Sequence, residues 1–326
     1  MRFIRKFLNL NKMNKKVKKN LYQKSLFLSC ILVIFFSFIL QIFTLSNGHE
    51  WGDDFALYVM QSISIIENSE LTLIDKNSFM LNQSSKVGGG PFIYPWGLPI
   101  LQSIIYYFFS FNLIAYKLLN ILLFTGFLIV SWFFFKKKLT LLESFILLSF
   151  FAFNPFLLKF NDQILSDIPF LFFSFISIFT IYLFLECKKN LTILIVALLL
   201  GLLFTVSYLI RFHGIVLPIT YSLILILIIF NKTISSINVN FSFRNKIISS
   251  NNQYFKNYLS LKFLFYLIPI ISFIFFTILI ESLFPSIIGS TTNTILHKIS
   301  YKTILSNFVY NLTVIRFFLM RVILDC

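Results

Sequence analysis

Charged residues are scarce in this chain of 326 residues: they make up 12% of it, and only twelve are acids. A soluble domain of this size carries about a quarter charged residues and is near half apolar. Here 58% is hydrophobic, with 45 Phe, and the mean hydropathy is +0.85. That excludes a water-soluble globular domain and predicts an all-α polytopic membrane protein. Cysteine is equally sparse. Cys30, Cys187 and Cys326 offer no plausible pairing and no zinc-like spacing, so no disulfide or structural zinc is expected. No small-x-small cleavage site precedes Gly48, which points to a retained signal anchor. No convincing internal repeat is present, which counts against a transporter.

What the chain does have is positive charge, a net +16. The Lys and Arg gather in short runs between apolar stretches, the pattern that orients membrane helices, so nucleic acid is not an expected partner. Residues 1–24 hold nine cations and no acid, and read as a cytoplasmic tail. Residues 25–45 form the first span, and 46–112 an extracytoplasmic loop with interfacial helices. Spans two to seven fall within 113–280, over 112–135, 139–158, 168–185, 191–210, 215–230 and 263–280. The run 100–111 is too short to cross. Reading it as non-spanning leaves Lys136–Lys138, Lys188–Lys189 and the loop with Lys232, Arg244, Lys246 and Lys256 in the cytoplasm. Residues 281–326 form an extracytoplasmic or interfacial segment. Within it 307–324 carries Arg316 and Arg321 and reads either as interfacial or as an eighth span. The expected location is the plasma or inner membrane, with the N-terminus cytoplasmic.

On this topology Asp53, Asp54, Lys117, Asp162, Asp167 and Arg211 all come to the outer ends of helices or to outer loops, while the span interiors hold almost no charge. Ion-coupled transporters tend to place acids near the midplane. Charges gathered at one interface suit chemistry on a headgroup whose tail stays in the bilayer. Transfer of a sugar from a polyprenyl phosphate fits. A carboxylate takes the acceptor proton as the acceptor attacks the anomeric carbon, and Arg, Lys or a divalent cation stabilises the leaving phosphate. Arg matches phosphate with parallel donors. The hard oxygens of Asp53 and Asp167 suit magnesium or manganese.

Four short segments then bear a likeness to a known family. Gly52-Asp53-Asp54-Phe55-Ala56-Leu57-Tyr58-Val59 resembles the acidic first-loop motif of GT-C glycosyltransferases, among them protein O-mannosyltransferases and aminoarabinose transferases. Tyr94-Pro95-Trp96-Gly97-Leu98-Pro99 is similar to the family's Pro-rich turn before a short juxtamembrane helix. Ser166-Asp167-Ile168-Pro169 resembles its acid-x-Pro motif at the fourth span, and Tyr208-Leu209-Ile210-Arg211-Phe212-His213-Gly214 its basic turn between spans five and six. The resemblance covers roughly 25–280. It implies an inverting enzyme with Asp53, paired with Asp54, as base, and with Arg211 and Lys117 on the donor phosphate. Asp167 would be a metal ligand or second acid. Asp54 stands where Glu is common.

Blander roles are available for the same residues. Asp53, Asp54 and Asp167 are all good helix caps. Arg211 and Lys117 suit anchoring at lipid headgroups. His49, Glu50, Asp162, His297 and Lys298 are expected mostly to face water. The competing functions are a transporter or flippase of lipid-linked saccharides and a non-catalytic subunit of a glycan assembly complex.

Overall fold

The computed structural model describes residues 2–49, 54–83, 91–187, 189–228 and 252–285, and all regular structure among them is helical. The chain divides into two compact units, one of residues 1–68 and 95–283 and the other of 69–94 and 284–326. In the second, Asn77 within α3 (Glu70–Asn82) donates Nδ2 to the Phe92 carbonyl at 3.0 Å.

The first unit holds the remaining helices. α1 (Arg2–Phe43) runs unbroken, so the basic tail expected at 1–24 is helical and continuous with the span. α2 (Phe55–Glu67) and α4 (Gly97–Phe109) are short, followed by α5 (Leu113–Lys138), α6 (Leu141–Ala152) and α7 (Pro155–Asn161). α8 (Asp167–Glu186), α9 (Asn190–Ile210), α10 (Phe212–Ile228, its first turn a 3₁₀ helix) and α11 (Asn252–Leu283) complete it. Local chemistry sets the boundaries. The Asn112 side chain caps α5 by accepting from Ala115 N, and α5 ends on Lys136–Lys138, where cations favour the negative end of the helix dipole. Thr140 and Glu143 close a capping box at α6.

Five helical segments are long and apolar enough to cross a membrane: Gln23–Phe43, Leu113–Lys138, Asp167–Glu186, Asn190–Ile210 and Phe265–Leu283. α6 and α7 pass the same test only as a pair, bent by 51° at their break, which is the shape of a broken span or of a re-entrant loop. This is the pattern of a multi-pass membrane protein. It differs from the seven spans expected in two places. The third expected span, 139–158, runs through Pro155, which lacks the N–H that would continue α6. The chain breaks there, and the Asn154 side chain caps α7 by accepting from Phe156 N and Leu157 N. The sixth, expected over 215–230, appears as α10, whose described length stays short of a span. The 307–324 segment lies outside the described residues.

α6, α1, α5, α8, α9 and α11 pack as a row of neighbours, and α2 lies on α4, which touches α5 and α9. One core gathers Phe124, Phe127, Leu128 and Trp132 with Cys30 and Leu148. A second gathers Leu200 and Phe204 with Phe184, Tyr221 and Phe273. Lipid supplies little hydrophobic drive between helices, so small residues and hydrogen bonds hold them together. Ser37 Oγ donates to the Ala152 carbonyl at 2.9 Å, and Thr205 Oγ1 to the Phe273 carbonyl at 3.2 Å. A Cβ on Gly201 would come within 2.5 Å of Ser272, so glycine lets α9 and α11 approach.

α2 departs from the interfacial helix expected in the first loop, although Phe55, Val59, Ile63 and Ile66 recur at helical spacing. Phe55 and Val59 are buried and Ile63 packs beside them, but Ile66 is exposed. Tyr58, Gln61, Ser62 and Ser64 are buried as well. The helix is docked on protein, with Ser62 and Tyr116 sharing a hydroxyl contact at 3.3 Å.

Candidate functional site

One end of the helix row collects most of the residues singled out from the sequence. Asp162 lies in the connection between α7 and α8 and Asp167 opens α8; the first pairs with Lys117 of α5 and the second with Arg211, which follows α9.

Lys117 stands on the face of α5 that also presents Ile121, Phe124 and Leu128, all buried. Its side chain has no exposed surface. Nζ lies 2.8 Å from Asp162 Oδ1, 3.0 Å from the Ser46 carbonyl, 2.9 Å from Ser46 Oγ and 2.6 Å from the Gly48 carbonyl. Asp162 also accepts from Ser46 N at 3.0 Å and Ser46 Oγ at 2.6 Å. An ammonium has three donors, and four protein oxygens already surround this one. Lys117 therefore clasps the segment after α1 to the start of α8's connection, a different role from the phosphate ligand or lipid anchor expected for it. The next residues are held in the same way. His49 Nε2 accepts from Ile164 N at 2.9 Å, and its ring stacks on Phe55 with centroids 3.8 Å apart. Asn120 Nδ2 donates to the Gln163 carbonyl.

Arg211 follows α9 in extended conformation, in a tight turn closed by Gly214 N donating to its carbonyl at 2.8 Å. A Cβ on Gly214 would lie 2.5 Å from the Ser207–Tyr208 backbone, and one on Gly97 2.5 Å from the backbone of Leu209. Two glycines thus let α10 and α4 press against the end of α9. The Arg211 guanidinium meets Asp167 through both ends of the carboxylate, Nη1 to Oδ1 and Nη2 to Oδ2, each at 2.9 Å. Nε donates to Ser166 Oγ at 2.8 Å, and Tyr58 donates its hydroxyl to the same oxygen at 3.2 Å. The Arg211 and Asp167 side chains are 38% and 29% exposed, so this guanidinium is open to solutes while the Lys117 ammonium is not.

Burial pushes the Tyr58 phenol above its ordinary value of 10, and the Ser166 hydrogen bond opposes this. The charges of Asp54, Arg211 and Asp167 also act on it, so Tyr58 lies within electrostatic reach of all three. Asp54 occupies the N-cap position of α2 in helical conformation without a capping hydrogen bond from its side chain. Asp167 lies inside the first turn of α8 rather than at the cap, which is Ser166. Neither acid is thus explained as a side-chain cap.

Asp53 and Glu50 lie outside the described residues, as do His297 and Lys298. Among the described residues no group of three His, Cys, Asp or Glu could hold a metal ion. Asp167, the described member of the expected Asp53–Asp167 pair, has both oxygens turned to a guanidinium, so its donor set does not fit a divalent cation. Beside the first ion pair, a cavity of about 700 Å³ opens between α1 and α7. Leu40 and Leu158 form its apolar wall; Ser46, His49, Asp162 and Gln163 form its polar one.

Ser46, Ser166 and Tyr58 were not singled out from the sequence. Ser166 and Tyr58 lay within motifs already quoted, but nothing in their spacing announces a contact across 108 residues. Lys117 did carry a signal, since its position is in helical phase with the core residues of α5. No family model, curated protein or solved structure matches this chain.

Proposed function

We propose that this protein is a membrane glycosyltransferase of GT-C type that moves a sugar from a polyprenyl-phosphate donor to an extracytoplasmic acceptor. The observation that carries the reading is the Arg211 group: a solvent-accessible guanidinium, fixed by Ser166 and Asp167, with Tyr58 between it and the charge of Asp54, at the end of a membrane bundle. Asp53, or its neighbour Asp54, takes the proton of the acceptor hydroxyl as its oxygen attacks the anomeric carbon. The bond from that carbon to the phosphate oxygen breaks on the opposite face, giving inversion. Arg211 stabilises the negative charge that the leaving phosphate gains, where scarce water strengthens the interaction. The cavity beside Asp162 would admit the acceptor.

In this reading Lys136–Lys138 and Lys189 face the cytoplasm with the basic start of α1, and the Arg211 end faces out. α5 carries Lys117 in its second turn and Lys136–Lys138 in its last, which puts acid pairing and lysine clustering toward opposite ends of one helix.

The test uses purified protein in detergent with a panel of radiolabelled polyprenyl-phosphate sugars. Transfer or donor hydrolysis that falls about 10²-fold or more in Asp53→Asn, but survives Glu50→Gln, supports the enzyme. Donor movement between vesicle leaflets that is indifferent to Asp53→Asn supports a flippase instead. Cysteines introduced at 54, 167 and 213 should label from outside intact cells; labelling only after permeabilisation overturns the orientation.

A further inference from the structure

Arg211 is proposed above to hold the donor phosphate, and the inference that follows rests on that reading. Of the five N–H donors on a guanidinium, Asp167 takes one on Nη2 and Ser166 takes that on Nε, while Asp167 Oδ1 also lies 2.9 Å from Nη1. The two terminal nitrogens, whose parallel donors best match phosphate oxygens, both already face a carboxylate. We propose that Asp167 is the resting occupant of this fork, an internal anion that the phosphate of the lipid-linked donor displaces.

Three features support an exchange over a fixed structural pair. The pair is partly exposed, so neither partner is locked in by packing, in contrast to Lys117 with no exposed surface. Ser166 holds Nε independently, and Tyr58 holds Ser166, so the guanidinium keeps its aim when the carboxylate leaves. Asp167 sits in the first turn of α8, where backbone N–H groups and the helix dipole stabilise a carboxylate that has lost its cation. After transfer, the return of Asp167 would help expel the phosphate product.

The experiment measures binding of farnesyl phosphate in detergent micelles, with inorganic phosphate as a parallel arm, to wild type, Asp167→Asn and Arg211→Gln. Competition predicts that Asp167→Asn binds farnesyl phosphate about fivefold more tightly, the worth of a part-exposed ion pair. A stronger gain for inorganic phosphate than for farnesyl phosphate would identify a free anion as the natural ligand. In wild type, peptide mass spectrometry supplies a readout that needs no variant. Saturating farnesyl phosphate should slow phenylglyoxal modification of Arg211 while speeding carbodiimide modification of Asp167. If both slow together, the ligand covers an intact pair and the exchange is wrong. Arg211-dependent binding that Asp167→Asn leaves unchanged or weakens also overturns it, with the phosphate role of Arg211 intact. If neither phosphate binds in an Arg211-dependent way, the glycosyltransferase reading loses its anchor and the exchange falls with it.

Discussion

The two ends of the helix row hold their cations by different means. At one, Lys117 and Arg211 each meet a carboxylate and further oxygens at fixed distances of 2.6–3.0 Å. At the other, Lys136, Lys137 and Lys138 lie over aromatic rings. Lys138 Nζ sits 4.0 Å from the Tyr182 centroid, Lys137 5.7 Å from Phe179, and Lys136 5.2 Å from Phe27. Among the described residues no ion pair joins them. A cation over a ring keeps its hydration and tolerates movement, which is enough to orient a helix in a membrane. A cation saturated by converging oxygens is held in place, which is what a clasp or a ligand site needs. The first difference to break is between Lys117 and the lysine run. Lys117→Met leaves the Ser46 and Gly48 carbonyls and Asp162 without their cation. Removing one partner of a buried pair costs several kcal/mol, and with Asp162 31% exposed the expected loss is about 3 kcal/mol. Thermal unfolding in detergent should show it as a clear fall in midpoint. A midpoint unchanged from wild type would mean that the clasp is not holding the segment after α1.

The next largest effect separates packing at the Arg211 end from its charges. Gly97→Ala puts a methyl within 2.7 Å of three backbone atoms of Leu209 and Ile210, and backbone cannot rotate away as a side chain can. The expected cost is about 2 kcal/mol of overpacking. Because Arg211 follows directly, transfer should fall along with stability. Gly48→Ala, with nothing within 4 Å, is the control and should do neither.

These contrasts also mark how far the sequence could be read. Hydropathy and lysine runs suffice for a helical membrane bundle, because a span must be long and apolar whatever its neighbours. They also bring Lys117, Asp162, Asp167 and Arg211 to one end, since each lies at or beside the same end of an expected span. Pairing is another matter. That Lys117 takes Asp162 and Arg211 takes Asp167 depends on which helices are neighbours, and no local period encodes that. α2 shows the limit from a different side. Its apolar residues recur at helical spacing, yet Gln61, Ser62 and Ser64 are buried because α4 and Tyr116 meet that face. The break at Pro155 was legible from proline alone.

A subtler difference lies between charge and shape at Arg211. Lysine there would keep the charge and lose the fork, so it could not meet Asp167 at both oxygens while reaching Ser166. Arg211→Lys should lower transfer about tenfold, or roughly 1.4 kcal/mol, and Arg211→Gln considerably more. Equal loss in both would mean that planar geometry is the whole contribution, and no loss in Lys that bulk charge is.

The smallest effect belongs to the lysine run, and it is the one that tests whether the two ends differ in kind. Exposed cation–π contacts contribute about 0.5 kcal/mol each, so Lys136→Gln, Lys137→Gln or Lys138→Gln alone should leave both midpoint and transfer within error. All three together remove a cluster that orients α5, but the nine cations in residues 1–24 still hold α1. The triple variant should therefore retain the external labelling of a cysteine at 213 in most molecules, with a minor inverted fraction. If transfer collapsed while labelling stayed wholly external, the lysines would be acting through specific contacts after all. The distinction between an end that orients and an end that binds would then have to be given up.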